Sequence, residues 1–557
     1  MRTVDWVVMA FSLASVIFYG LWRSRGAQTT QRFMLANKQM PWYAMALSIM
    51  ATQASAITFI STTGQSYVDG MRFVQFYFGL PIAMILISAV AVPIYHRTKV
   101  YTAYEYLEQR FDAKTRALVG SVFLIQRGLG VGVALAAPAV VMTVILGWPE
   151  WVTTTAMGAV IVLYTVKGGI TAITWSEFLH MIILTAGLVA AFLTALFLLP
   201  PNVHFADAIA IAGAAHKLNP LVWKFDLNDR YNLWSGLIGG MFLSLAYFGC
   251  DQSQVQRYLT GKSITQSRLS LLFNAVAKIP MQFSVLFIGA MVFVFFVFEK
   301  PPAMFHVRAW EQVRYSEAGR SIERRFDAAW EARRTAALAP GQAGFDAAQK
   351  QLDAARKDAA RIVTEHTGVE GADTNYIFLT FVTRYMPVGL VGLLIAAIFA
   401  AAMSTISAEI NSLATVTVID IYKRFVRGGA SDHHYLLISR AATVFWGVYA
   451  VITAQYLKGV GALIETVNLV GSLFYGGLLG VFTLAFFFKR VNGTGAFWGV
   501  LAGEAAIFAT KFFTNIGFLW YNVIGAVVVV ATGLLLSAAP RVGRPSRAAR
   551  ALQSPQD

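Results

Sequence analysis

Charge is scarce in this sequence. Only 13% of the 557 residues are Asp, Glu, Lys or Arg, whereas 57% are hydrophobic. A soluble protein needs about twice that share of charged residues to cover its surface. The composition therefore excludes a soluble multidomain protein and a disordered chain. It predicts an integral membrane protein whose main partner is the lipid bilayer.

Cysteine and clustered metal ligands are also scarce. Cys250 is the one cysteine, which excludes an intrachain disulfide, and the eight histidines are scattered. We find neither a Ser/His/Asp constellation nor a glycine-rich phosphate loop, so we expect that the protein is not an enzyme. The net charge of +16 lies largely in short loops between apolar runs. That position indicates membrane topology and does not indicate nucleic-acid binding.

Long apolar runs dominate what remains. A helix needs about 20 such residues to cross a bilayer, and the runs predict about thirteen transmembrane helices in an all-α protein. They cover residues 5–22, 41–64, 74–95, 118–147, 151–166, 170–199, 234–250, 271–298, 387–421, 434–456, 461–488, 494–512 and 517–537.

Loop charge predicts the orientation. With the N-terminus outside, the inner loops hold 22 Lys and Arg residues, and the short outer loops hold 5. By the positive-inside rule we expect a multi-pass protein of a bacterial-type inner (plasma) membrane. Its N-terminus lies outside and its C-terminus is cytoplasmic.

Two predicted helices contain small and polar residues at places where a membrane helix can break. These segments are residues 50–59 and residues 244–249, and the second runs into residues 250–252. Broken helices at corresponding places in two halves of a chain point to a transport site. Because the two segments lie in predicted helices 2 and 7, each the first of five helices, the layout is that of two repeats of five helices.

The predicted helices divide the chain into parts. Residues 299–372 are polar and highly charged, and two helix-forming stretches there are separated by the turn sequence APGQAG. We interpret them as an outer helical hairpin, a solvated cap without chemistry. The other parts are an N-terminal helix and inner loop (1–40), a first five-helix repeat (41–199), a second repeat that contains the hairpin (234–488), two peripheral helices (494–537) and a basic cytoplasmic tail (538–557).

Charged side chains at membrane depth are costly and usually functional. Arg127 has two interpretations: it pairs with Glu409 or Glu177, or it binds a carboxylate of the solute. In helix 9, Ala401, Ser404 and Thr405 share one face by their i, i+3, i+4 spacing. Oxygens on that face suit a sodium ion. Alternatively, the two hydroxyls bond back to carbonyls of their own helix.

Five stretches of the sequence form a recognisable set. They are RFMLANKQMPWYAMALSIMATQASAITFI, YTAYEYLEQRF, KGGITAITWSEFLHMIIL, FGCDQSQVQRYLTGKS and AAMSTISAEINSLATVTVIDIYKRF. Together they resemble the sodium/solute symporter family, which includes bacterial sodium/galactose and sodium/sialic-acid symporters, and the resemblance covers roughly residues 1–540. It implies a 5+5 inverted-repeat core of the amino-acid/neurotransmitter-type transporter fold, alternating access, sodium-driven secondary active transport and function as a monomer.

The resemblance also implies ion and solute ligands. Because Ala408 stands where a further serine is expected, we expect one essential sodium ion and a weak or absent second. The first sodium site falls on carbonyls of Ala51, Ala54 and Ala401 and hydroxyls of Ser404 and Thr405, and the possible second falls on Glu177, Ser404 and Ser407. The substrate site falls on Gln53, Ser55, Thr58, Phe73, Tyr77, Arg127, Ser244, Tyr247, Lys278 and Asn468.

These positions favour a particular class of solute. Arg127 lies in a stretch that resembles the helix with which sialic-acid symporters bind the substrate carboxylate. Thr58 and Tyr77 replace residues that contact the sugar in sugar-transporting members. We therefore expect import of a small organic carboxylate, such as sialic acid or a monocarboxylate. The alternatives are a sugar or other neutral solute, and a transporter-like sensor. A channel is a further alternative, but it would need a continuous pore rather than two broken helices.

Overall fold

The computed structural model describes residues 1–24, 29–53, 55–338, 342–368, 373–456 and 462–538. This part of the chain is all-helical. Its first ten α-helices are α1 (Thr3–Arg23), α2 (Thr30–Leu35), α3 (Trp42–Gln53), α4 (Thr63–Asp69), α5 (Leu80–Ala89), α6 (Ala91–Thr98), α7 (Ala103–Arg110), α8 (Ala113–Leu146), α9 (Glu150–Phe197) and α10 (Phe205–Ala214).

The described residues of the second half of the chain form twelve more α-helices. Short π-helical segments precede α4 and α11 and follow α18, at Thr58–Thr62, Ser235–Gly239 and Thr417–Val426. The helices are α11 (Gly240–Gly249), α12 (Gln252–Leu259), α13 (Ile264–Phe298), α14 (Val307–Val313), α15 (Glu317–Ala337), α16 (Gln342–Thr367), α17 (Thr374–Tyr385), α18 (Leu390–Val416), α19 (Asp432–Tyr456), α20 (Leu463–Phe487), α21 (Gly493–Phe513) and α22 (Leu519–Ala538).

Ten helical spans in the described ranges are long and apolar enough to cross a membrane. The predicted run 41–64 is divided between α3 and α4, and the run 234–250 appears as a shorter helix, Ser235–Gly249. The runs 151–166 and 170–199 are the two arms of α9. They meet at Gly169, whose φ of 55° departs from helical geometry. An all-helical membrane architecture is confirmed, and the count of thirteen stays a prediction.

The first predicted break lies where α3 ends. Thr58 turns its hydroxyl back and donates a hydrogen bond of 2.7 Å to the carbonyl of Gln53, and its backbone N–H donates to Ser55. A side-chain donor thus pairs with a carbonyl that the interrupted helix leaves free, as a broken helix in a membrane requires.

The second predicted break lies between α11 and α12. Asp251 caps α12, because its carboxylate accepts a hydrogen bond from the N–H of Ser253 at 2.9 Å. Three buried tyrosine hydroxyls donate to carbonyls around the break. The pairs are Tyr258 to Phe248 (3.1 Å), Tyr95 to Gly249 (2.7 Å) and Tyr104 to Cys250 (3.2 Å).

Close backbone contacts fix α4 in the bundle. A Cβ atom on Gly64 would lie 2.0 Å from the carbonyl oxygen of Thr374, and one on Gly289 would lie 2.3 Å from that of Thr63. Only glycine permits such approaches, so α4 packs directly against α17 and α13. The sequence reading missed α17, although its apolar run YIFLTFV was a signal.

The charged segment between α13 and α17 contains two long helices, α15 and α16, that pack against each other. Residues 339–341 of the predicted turn lie outside the described residues. Arg333 is fully buried and donates to the Phe296 carbonyl at 2.7 Å and to Gln349 at 3.0 Å. Trp330 donates to the same Phe296 carbonyl at 3.2 Å. The helices are therefore attached to the end of α13.

Candidate solute and sodium sites

A cavity opens beside both helix breaks. Eight of the ten predicted substrate residues line it, although they come from five separate regions of the chain. These eight are Gln53, Ser55, Thr58, Tyr77, Arg127, Ser244, Tyr247 and Asn468. The wall also contains Thr405 and Glu409 of α18 and Tyr475 of α20.

Two predicted substrate residues do not line this cavity. Phe73 belongs to an aromatic cluster in which its ring stacks on Phe76 at 5.5 Å. Lys278 lies behind the wall, with Nζ 5.1 Å from the centroid of the Tyr77 ring. The Lys278 side chain is fully buried, and its Nζ finds no hydrogen-bond partner in the described part of the chain.

Arg127 is held by three side chains. Its Nη1 donates to Glu409 Oε1 at 2.8 Å, and its Nη2 donates to Asp251 and, at 2.7 Å, to the hydroxyl of Tyr475. Its guanidinium carbon also lies 5.4 Å from the centroid of the Tyr247 ring. The structure thus shows the ion-pair interpretation of Arg127, with Glu409 as one partner. In this state a solute carboxylate would have to compete for both terminal nitrogens.

The other candidate partner, Glu177, pairs elsewhere. Both of its carboxylate oxygens accept hydrogen bonds from Arg257, at 2.5 and 3.0 Å, and Ser48 donates to the same carboxylate. Glu177 and Arg257 are both at most 1% exposed. A second sodium ion at Glu177 would therefore share the carboxylate with a bound guanidinium, and this site remains a prediction.

The candidate residues of the first sodium site lie at the α3–α18 contact. Ala51 is in the last turn of α3, and Ala401 and Thr405 are buried on α18. Thr405 Oγ1 has no hydrogen-bond partner among the described residues, so it is available to an ion. The predicted ligand Ala54 lies outside the described residues.

Ser404 is arranged differently from Thr405. Its hydroxyl forms a hydrogen bond of 2.6 Å with His180 Nδ1 on α9. To bind sodium together with Thr405, the Ser404 oxygen would use a second lone pair or rotate away from His180. Ser407, the other predicted hydroxyl, is fully buried, and no partner for its Oγ appears in the described ranges.

The sequence reading missed several residues of the site. Asp251 is not among the predicted site residues, although an Asp that precedes a helix is typical of an N-cap. His180 follows Glu177 by three residues, and this spacing on α9 could have placed both residues on one face. Gln126, Tyr475 and Arg257 carried no such signal.

A family model matches most of the chain. The model of the sodium:solute symporter family matches residues 33–308 and 355–503. The chain belongs to the sodium:solute symporter family. Members of this family are sodium-coupled transporters, and sodium is the ion that the site must accommodate. The model leaves residues 309–354 unmatched, so most of the α15–α16 hairpin is an addition to the family's common core.

Curated relatives of this symporter cover nearly the whole chain. The sodium-coupled monocarboxylate transporter 1 of Xenopus laevis is 27% identical over 92% of the chain and 72% of its own length. The sodium/glucose cotransporter of Vibrio parahaemolyticus is 26% identical over 91% and 85%. The sodium/sialic acid symporter SiaT of Proteus mirabilis is 25% identical over 96% and 94%.

A solved structure shares the fold. The substrate-bound, outward-open state of a Na+-coupled sialic acid symporter superimposes with a TM-score of 0.75. The alignment covers 96% of this chain and 98% of that one, at 24% sequence identity. The two chains therefore share one helical fold.

Proposed function

We propose that this chain imports a small organic solute that bears a carboxylate, together with sodium, by alternating access. The observation that carries the proposal is the cavity beside two helix breaks, with predicted solute residues on its wall. Backbone groups released at such breaks bind ions and substrates in transporters. The named relatives include carriers of monocarboxylates and of sialic acid.

The sodium ion binds, in this proposal, between α3 and α18. Its ligands are carbonyls of Ala51, Ala54 and Ala401 and hydroxyls of Ser404 and Thr405. The unpartnered, buried hydroxyl of Thr405 supports this assignment. Sodium entry supplies the driving force, since each charge that crosses 100 mV gains about 2.3 kcal/mol. A second sodium at Glu177, Ser404 and Ser407 is weak or absent because Arg257 already neutralises Glu177.

Lys278 is the cation that we assign to the solute carboxylate. Arg127 already contacts two acids, whereas Lys278 has no acidic partner among the described residues. Its Nζ lies 5.1 Å from the centroid of the Tyr77 ring, and Tyr77 lines the cavity. A buried ammonium without a counter-ion is costly in a membrane. A carboxylate that binds beside Tyr77 would supply that counter-ion.

The proposal also includes the arrangement of the helices in the membrane. Thirteen helices cross the membrane, with inverted repeats at 41–199 and 234–488, the outer hairpin at 299–372, peripheral helices at 494–537 and the tail 538–557 inside. The equivalent positions of the two breaks, each in the first helix of its repeat, support this arrangement. The N-terminus lies outside, and a single protomer forms the complete site.

Uptake by proteoliposomes tests the function. Purified protein is reconstituted, and uptake of lactate, sialic acid, proline and glucose is compared with an inward sodium gradient and with an equal gradient of choline. We expect concentrative uptake of an acid only with sodium. Equal uptake in both gradients would contradict coupling, and sodium-driven uptake of glucose alone would favour the neutral-solute alternative.

A further inference from the structure

Glu409 presents a bare carboxylate oxygen at the cavity. The residue lines the cavity wall, and its side chain is only 4% exposed. Oε1 accepts the Arg127 hydrogen bond at 2.8 Å, whereas Oε2 is buried without a partner in the ranges that the structure describes. A buried anionic oxygen without a donor is strongly unfavourable, so a ligand that supplies one gains binding energy.

The charges around Arg127 do not balance. One guanidinium contacts two carboxylates, those of Asp251 and Glu409, and all three groups are almost fully buried. The neighbouring Arg257 and Glu177 neutralise each other. Lys278 lies behind Tyr77 and is not part of this cluster. The cluster of Arg127, Asp251 and Glu409 therefore keeps one excess negative charge. A cationic group of the solute would compensate it.

A second unpartnered acceptor lies on the wall. Gln126 Oε1 has no hydrogen-bond partner among the described residues, and Gln126 lines the cavity with Glu409. The other unpartnered atoms on the wall are the donors Arg127 Nε and Asn468 Nδ2 and the Thr405 hydroxyl, which we assign to sodium. A carboxylate oxygen and an amide oxygen can both accept from an ammonium, which carries three N–H donors.

We propose that the solute carries a protonated amine and that Glu409 Oε2 recognises it. This inference rests on the proposed function, in which the same cavity binds the solute. With the carboxylate beside Lys278 and the ammonium at Glu409, the solute is an amino acid-like zwitterion. The contact is charge-assisted and therefore among the stronger hydrogen bonds that a protein offers.

Matched pairs of compounds test the amine. L-Alanine and lactate, and proline and cyclopentanecarboxylate, share a carboxylate and a similar shape but differ in the amine. Binding is measured by thermal shift in fixed sodium, and sodium-driven uptake is measured in parallel. In the wild type we expect the amine member of a pair to bind at least tenfold more tightly. Equal binding of both members would overturn the proposal without any variant.

Glu409→Gln keeps an oxygen for Arg127 and removes the charge. We expect it to weaken the amine member about tenfold, to leave the other member unchanged and to keep the sodium dependence. A variant that loses sodium affinity but still prefers the amine would show that Oε2 binds sodium, and it would overturn the proposal. Sodium-driven uptake that shows no preference for the amine member of a pair would refute the amine proposal but not the transport function. Failure of every compound to show sodium-dependent binding refutes the transport function as well.

Discussion

At the scale of single residues, Thr405 and Ser404 differ in what their hydroxyls do. The Thr405 hydroxyl is free in the described structure, whereas the Ser404 hydroxyl binds His180. We predict that Thr405→Ala and Ser404→Ala each raise the sodium concentration for half-maximal uptake. Loss of one ligand costs about 1–3 kcal/mol. Thr405→Ser is the matched control and should behave as wild type. Unchanged sodium dependence in the double alanine variant would contradict the sodium site.

Arg127 provides a test of the ion-pair cluster. Arg127→Gln leaves Glu409 and Asp251 buried without their cation, and removal of one partner of a buried pair costs about 3–5 kcal/mol. We predict a clear fall in Tm and yield. Partial rescue should follow when Glu409→Gln and Asp251→Asn are added. A single Arg127→Gln variant with the wild-type Tm would instead favour the interpretation in which Arg127 serves the solute.

Lys278 should show the opposite pattern. Because its ammonium is buried without a partner among the described residues, Lys278→Met removes a costly charge, and we predict that Tm is unchanged or raised. Affinity for a carboxylate should fall about tenfold, while affinity for the corresponding amide stays the same. Thermal-shift titrations with acid and amide measure both effects. An equal loss for acid and amide would remove Lys278 from carboxylate recognition.

Some residues of this site could be predicted from the sequence, and the others could not. Arg127 and Glu409 stood out because charges inside apolar runs are rare, and their pairing was one of two interpretations. Asp251 lies 124 residues from Arg127 in sequence. Their contact depends on how α8 and the α11–α12 break pack, which no local pattern encodes. The same holds for the position of Lys278 behind Tyr77.

At the scale of elements, the break after α3 depends on one threonine. The Thr58 hydroxyl donates to the Gln53 carbonyl at 2.7 Å, and Thr58 is 1% exposed. Thr58→Val keeps the shape but leaves that carbonyl unpaired. We predict a loss of about 1–3 kcal/mol in the free energy of unfolding, with reduced uptake. Thr58→Ser, which retains the donor, should remain close to wild type. Equal behaviour of the two variants would show that the hydroxyl does not support the break.

The α15–α16 hairpin shows that a sequence pattern can predict helices without predicting how they pack. Its helix-forming stretches predict two helices, and the structure has α15 and α16 in this segment. Composition alone favoured a solvated cap. However, Arg333 and Trp330 both donate to the Phe296 carbonyl, so the hairpin is attached to a membrane helix. A charged arginine in a polar segment gives no sign that it will be buried.

At the scale of the whole molecule, apolar length located nearly all of the long helices because the bilayer fixes how many residues a span needs. It could not separate α3 from α4 with residue accuracy or identify α17. The fold then assembles the cavity from six regions that are distant in sequence. The resemblance to the family indicated eight of the residues that line the cavity. Which charged groups lack a partner, and are therefore available to a ligand, is clear only from the packing.

The most direct measurement is sodium-dependent uptake by a reconstituted, purified protein. Proteoliposomes with an imposed inward sodium gradient and an inside-negative potential should accumulate a small organic acid above its external concentration. Thr405→Ala should require more sodium for the same rate. Uptake whose rate depends on neither the sodium gradient nor the membrane potential would contradict the sodium-coupled symport that the structure and the family assign to this chain.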